Sequence, residues 1–129
     1  MNARLERAAL GLVGTRYRLH GRDRDSGVDC VGLVALAMRE AGYSAVAPTG
    51  YALRHADVAT LTGLARANGF VAVGSRGDLV LAMANPVQPH LLIRTTQGFV
   101  HAHAGLRRVT LLPGALPWPV AGEWQLPEE

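Results

Sequence analysis

Residues 31–38, VGLVALAM, are apolar on every face of a helix, and polarity returns only at Arg39 and Glu40 before Gly42 supplies a helix stop. A helix without a polar stripe has to be covered on all sides, so the rest of the chain must be able to wrap it. The run falls well short of the roughly 20 residues that cross a bilayer, which excludes a membrane span. A length of 129 residues is enough to build that cover as one ordinary domain, and residues 1–129 are expected to form a single domain.

The remaining pattern supplies the cover in two blocks. Leu5, Ala8, Ala9 and Leu12 recur at helical spacing, which predicts an amphipathic helix over 2–13. Residues 15–27 are polar, charged and glycine-punctuated, as a loop would be, and 44–56 read as a second loop. Asp57 can cap a third helix that turns Val58, Leu61, Leu64 and Ala65 inward and ends at Gly69. From there the period changes to two: FVAV, DLVLAMA, HLLIRTT, FVHAHA and RRVTLL are short runs separated by Gly, Pro or Asn, the pattern of an antiparallel meander. The sequence closes on a proline-rich tail, pinned by Trp118 or Trp124. Helices first and strands after predict an α+β fold with the buried helix packed on one face of an antiparallel sheet.

Charge narrows the partners. All 13 basic residues are arginine and they are scattered; within RYRLHGRDRD, Asp23 and Asp25 dilute the one cluster. A net charge of +3 distributed in this way argues against nucleic acid, while leaving attraction to a carboxylate-rich polymer such as a cell wall open. Arg4, Glu6 and Arg7 interrupt the apolar pattern at the start, so no secretory signal is expected there.

Cys30 is the single cysteine, which excludes an internal disulfide and a Cys-only metal cluster. With the buried helix starting at Asp29 or Cys30, the thiol lies in the first turn, where free N–H groups and the helix dipole are expected to lower its pKa. A thiolate nucleophile also needs a base, ordinarily histidine. His20 and His55 lie in or next to loops, whereas His90, His101 and His103 fall on successive predicted strands. Alternation in FVHAHAG puts Phe99, His101 and His103 on one face, and a Gln97–Gly98 turn would pair Arg94 with His101 and Leu92 with His103. One sheet face is then expected to present three imidazoles, with Arg94 among them, towards the helix bearing Cys30. A lone cysteine is more often a small buried hydrophobe, and strand histidines are often merely hydrogen-bonded, so the pattern alone leaves both readings open.

The succession of Gly14–Tyr17, Asp29–Leu33, Gly77–Val80, His90–Ile93 and Val100–Ala102 resembles the NlpC/P60 family of papain-like cysteine peptidases, which cut peptidoglycan stem peptides; the likeness runs over roughly residues 8–112. The compact form with its VAGEWQLP ending is most similar to the branch carried by phage tails and gene transfer agents. The resemblance implies that Cys30 is the nucleophile, His90 the general base and His101 the residue that orients His90, with His103 a rival for that place. It further implies that Tyr17 sets its hydroxyl beside the thiol and that Asp29, chemically just as sound as a helix cap, binds the free amine of the stem peptide. It implies no cofactor. The expected reaction is hydrolysis of the γ-D-glutamyl to diamino-acid amide through a thioester, with backbone N–H groups at the helix start holding the oxyanion.

Val31 and Leu92 depart from the family pattern, which has serine and glycine there, and Arg16 replaces a frequent proline. Two other outcomes therefore stand beside the peptidase: a catalytically weak or inactive component of a tail assembly, and an amidase or acyltransferase on the same scaffold. In the peptidase reading the chain is made in the cytoplasm without a signal peptide, associates with tail proteins and acts on the cell wall from a tail particle.

Overall fold

A computed structural model describes residues 1–47, 57–86 and 88–128. Asn2 starts the first helix, α1 (Ala3–Gly11), by accepting the Leu5 N–H on its side-chain oxygen at 3.0 Å. Two short strands, β1 (Arg22–Asp23) and β2 (Gly27–Val28), form a small antiparallel ladder inside the stretch expected to be loop. The apolar run forms α2 (Cys30–Glu40), capped by Asp29, and eight of its residues are buried. Asp57 caps α3 (Val58–Ala67) as its sequence predicts, with Leu61 and Ala65 buried. Val58 is 37% exposed instead of inward, because it occupies the first turn, before the helix meets its neighbours. Most of the second expected loop, including His55, lies outside the described residues.

The strands are β3 (Val71–Val73), β4 (Leu79–Asn85), β5 (Gln88–Thr95), β6 (Gly98–His103), β7 (Arg108–Leu112) and β8 (Val120–Gln125). They form one antiparallel sheet in the order β3-β8-β4-β5-β6-β7. The expected α+β class is what is found, with one change. The last segment is not a tail: β8 enters the sheet between β3 and β4 and buries Trp124 at 4% exposure, so that ring pins a strand.

Alternation divides the sheet's side chains between two apolar clusters. Leu79, Leu81, Leu91, Ile93, Val100, Ala102 and Val109 join Leu33, Val34 and Met38 of α2 and Leu5 of α1 in the main core. Each large side chain fully buried there contributes about 1.5–3 kcal/mol relative to exposure. The other face carries Val80, Ala82, Leu92 and Phe99, covered by Leu112, Leu116 and Trp118. Among the described residues no helix is long and apolar enough to cross a membrane.

Buried Asp78 joins the two ends of this arrangement. One carboxylate oxygen accepts the Asn2 N–H and the other the Leu126 N–H, both at 2.9 Å, while the Asn2 amide donates to the Leu126 carbonyl at 3.0 Å. The preceding Gly77 lies so close to β8 that a Cβ there would come within 2.7 Å of the Trp124 backbone. The GDLV run is thus explained structurally: the glycine permits the approach of β4 to β8, and the aspartate ties α1, β4 and the end of β8 together.

Candidate active site

The loop after α1 is held as a rung between β7 and β2. Gly14 N–H donates to the Val109 carbonyl at 2.9 Å, Val109 N–H to Thr15 at 2.7 Å, Tyr17 N–H to Arg107 at 3.0 Å and Val28 N–H to Arg16 at 2.8 Å. This backbone frame carries the Tyr17 ring to the N-terminus of α2. Burial, then the nearby Asp29 carboxylate and the Cys30 sulfur, push the Tyr17 hydroxyl up to about 12, so it stays protonated and able to donate.

Asp29 is fully buried, and its carboxylate organises the same corner. It accepts the Gly32 N–H at 2.8 Å as the cap of α2, the His20 N–H at 2.9 Å and a guanidinium N–H of Arg22 at 2.9 Å. The loop can come this close because Gly32 has no side chain: a Cβ there would meet the Gly21 carbonyl oxygen at 2.0 Å. Asp29 is not among the residues lining the pocket described below.

Cys30 opens α2 and is 1% exposed. Its thiol is pushed up to about 11, opposite to the lowering expected from its place in the first turn. Burial is the largest cause and the Asp29 carboxylate adds to it; hydrogen bonds from the Leu91 and Val31 backbone N–H groups and the charge of Arg22 act in the other direction and are outweighed. The Leu91 contact sets the sulfur beside the chain neighbour of His90.

His90, His101 and His103 share the strand parity of Leu92 and Phe99, whose apolar side chains pack apart from α2, and all three line one pocket with Cys30 at the start of that helix. The register differs from expectation. Thr95 pairs with Gly98 around a Thr96–Gln97 turn, so Arg94 opposes Phe99 and not His101. Glycine at 98, with φ of +130° and its missing Cβ facing the Leu112 carbonyl at 2.3 Å, belongs to the strand and not to the turn. Arg94 finds its acid in Glu123 at 2.8 Å and stacks its guanidinium 5.0 Å over the Phe99 ring.

His90 Nε2 lies 2.9 Å from His101 Nδ1, and His101 Nε2 lies 3.2 Å from the hydroxyl of Thr110, its direct partner across the β6–β7 ladder. His103 is occupied otherwise: its Nδ1 accepts the Leu106 N–H at 3.1 Å. The indole of Trp118 stands nearly perpendicular to both His90 and His101, with centroids 6.2 and 6.1 Å away. Burial, then the neighbouring imidazoles, pull His90 down to about 4; burial and then His103 do the same to His101. Near neutral pH the thiol and both imidazoles are therefore uncharged.

Cys30, Tyr17, His90, His101, His103 and Trp118 line one pocket of about 190 Å³, completed by small residues such as Ala84, Ala102 and Gly105. A thiol, an imidazole with one nitrogen already hydrogen-bonded and a protonated phenol around a common space can support nucleophilic attack on a carbonyl. Among the described residues no group of three or more His, Cys, Asp or Glu is arranged to hold a metal ion. Val31 is turned into the main core at 5% exposure, so the residue at this position does not reach the pocket. Thr110 and Trp118 were not singled out as site residues in the sequence. The first was detectable from alternation in RRVTLL, which puts Thr110 on the histidine face, and the second from an aromatic held between prolines in LPWP.

No family model and no curated protein matches the sequence. Solved structures match by shape. NlpC1 from Trichomonas vaginalis superimposes with a TM-score of 0.69 at 16% identity, over 97% of this chain and 44% of that one. An NlpC/P60 family protein from Bacillus cereus gives 0.66 at 18% identity, over 98% and 41%. The NlpC/P60 domain of the peptidoglycan hydrolase SagA gives 0.57 at 21% identity, over 88% and 89%. The chain spans less than half the length of the first two, and at these identities the likeness establishes the fold: helices and an antiparallel sheet in the NlpC/P60 arrangement.

Proposed function

We propose that this chain is an NlpC/P60-type cysteine peptidase that hydrolyses peptidoglycan stem peptides at the γ-D-glutamyl to diamino-acid amide. The observation that carries the reading is the pocket in which Cys30 and the hydrogen-bonded His90–His101 pair meet. A fold shared with the NlpC/P60 domain of a peptidoglycan hydrolase supports the choice of substrate.

In this reading His90 Nδ1 takes the thiol proton as the sulfur attacks the amide carbonyl carbon. The carbonyl electrons move to oxygen, which the Tyr17 hydroxyl and N–H groups at the start of α2 stabilise. Collapse of the adduct breaks the C–N bond, the amine leaves with the proton from His90, and the acyl group stays on sulfur as a thioester. Water, giving a proton to His90, then attacks the thioester and restores the thiol. The small residues around the pocket admit the stem-peptide backbone next to the sulfur. Asp29, which the resemblance assigns to the free amine of the substrate, is a buried cap outside the pocket, and its part here is to hold the start of α2 and the loop beside it. We place this activity at the cell wall, delivered by a phage-tail or gene-transfer-agent particle and its tail proteins, on the strength of the sequence resemblance.

The 1% exposure of Cys30 favours a second reading, a tail component that keeps the fold without the activity. Incubating peptidoglycan with the wild type and with Cys30→Ala, followed by mass analysis of the released muropeptides, separates the two. Cleavage by the wild type alone supports the peptidase; a folded wild type that releases nothing rules it out.

A further inference from the structure

We infer that Thr110 is a positioning residue of this site: its hydroxyl accepts a hydrogen bond from His101 and thereby supports the tautomer in which Nδ1 of His90 is free to act as a base. The inference rests on the peptidase reading for its kinetic consequence, but not for its spectroscopic one.

A neutral imidazole carries one N–H, so the two histidines and the threonine form a chain that can run in only two directions. In the first, His90 Nε2–H donates to His101 Nδ1 and His101 Nε2–H donates to the Thr110 oxygen, across the 2.9 and 3.2 Å contacts. His90 Nδ1 then has its lone pair available. In the second, the Thr110 hydroxyl donates to His101 Nε2, the proton between the rings belongs to His101 Nδ1, and His90 carries its own proton on Nδ1, where the thiol needs an acceptor. Only the first direction leaves a base.

His101 is 4% exposed, below Trp118 and beside Phe99, so an Nε2–H there has to find its acceptor within the protein. Thr110 supplies it from the facing strand, and the β6–β7 register holds the two residues directly opposite. Half-exposed itself, the threonine can turn its own hydroxyl proton to water while accepting from His101. His103 cannot take this part, because its Nδ1 is bound to the Leu106 N–H at the end of the hairpin. Replacing Thr110 by valine keeps the shape and strand preference but removes the acceptor. Without the hydroxyl the first direction leaves a buried N–H unpaired and the second only a bare ring nitrogen; the orphaned N–H is the rarer and costlier of the two, so the balance moves towards the second.

The test is the imidazole nitrogen spectrum of histidine-labelled protein near neutral pH, together with steady-state kinetics on a stem-peptide substrate. The wild type is expected to show His101 protonated on Nε2 and His90 unprotonated on Nδ1. Thr110→Val should move the His101 proton towards Nδ1 and lower kcat by about three- to tenfold with KM unchanged, and Thr110→Ser should restore both. A wild-type His101 protonated on Nδ1 overturns the inference, as does a folded Thr110→Val that keeps its tautomers and full kcat. If the wild type cleaves no stem peptide, the peptidase reading fails while the spectrum still decides the role of Thr110.

Discussion

Alkylation of Cys30 as a function of pH offers a direct test of how the site is charged. Burial sets the thiol near 11 against an ordinary value of 9.0, and sets His90 near 4. Well below both thiol values, a shift of two units lowers the thiolate fraction about 100-fold relative to an unperturbed cysteine, equivalent to about 3 kcal/mol against ionisation. His90 cannot offset this from a distance, because it is itself neutral at pH 7. Pseudo-first-order rates with iodoacetamide, followed by intact mass from about pH 6 to about pH 10, should therefore rise tenfold per pH unit without levelling off. At pH 7 the folded protein should react at least about 100-fold more slowly than the same chain in denaturant. A reactivity plateau with a midpoint below about pH 8 would refute this reasoning, since it would mean that a thiolate–imidazolium pair already exists at rest and that the first-turn position dominates burial.

The same burial makes stability depend on acid. His90 titrates near 6.5 when unfolded and near 4 when folded, so between those values the unfolded chain binds more protons. Stability should be full above about pH 6.5 and fall by about 3 kcal/mol from His90 alone by about pH 4; urea midpoints unchanged across that window would contradict it. Asp29→Asn should cost about 3 kcal/mol, or about 10 °C in Tm, because it breaks a buried ion pair and places an amide N–H against other donors; a loss below about 1 kcal/mol in thermal unfolding would show the carboxylate to be dispensable. Gly32→Ala should cost about 3 kcal/mol or more, since its Cβ meets backbone and not a movable side chain, and a wild-type melting curve would mean that the loop yields freely.

What was legible in the sequence was what depends on neighbours along the chain. The apolar face pattern of residues 31–38 required a buried helix, the caps at Asp29 and Asp57 are local, and alternation alone put Phe99, His101 and His103 on one face. What was not legible depends on partners far away. Nothing local in VAGEWQ says that it enters between β3 and β4, and the Thr95–Gly98 register turns on one glycine whose missing side chain makes room for the Leu112 backbone. The direction of the Cys30 shift was misread for the same reason. The dipole of the first turn is written in the sequence, while the burial that outweighs it comes from distant residues such as Leu91 and Ala102 that pack with Cys30. The choice between His101 and His103 likewise needed geometry, because both have the same parity and only one meets His90.

The central claim is that an acyl group passes through the sulfur of Cys30. Acid-quenching the wild type during turnover of a stem peptide and mapping the intact adduct by mass should reveal a thioester on Cys30 that disappears on treatment with hydroxylamine and is absent in Cys30→Ala. Product formation with no adduct on Cys30, or by Cys30→Ala at the wild-type rate, would contradict it.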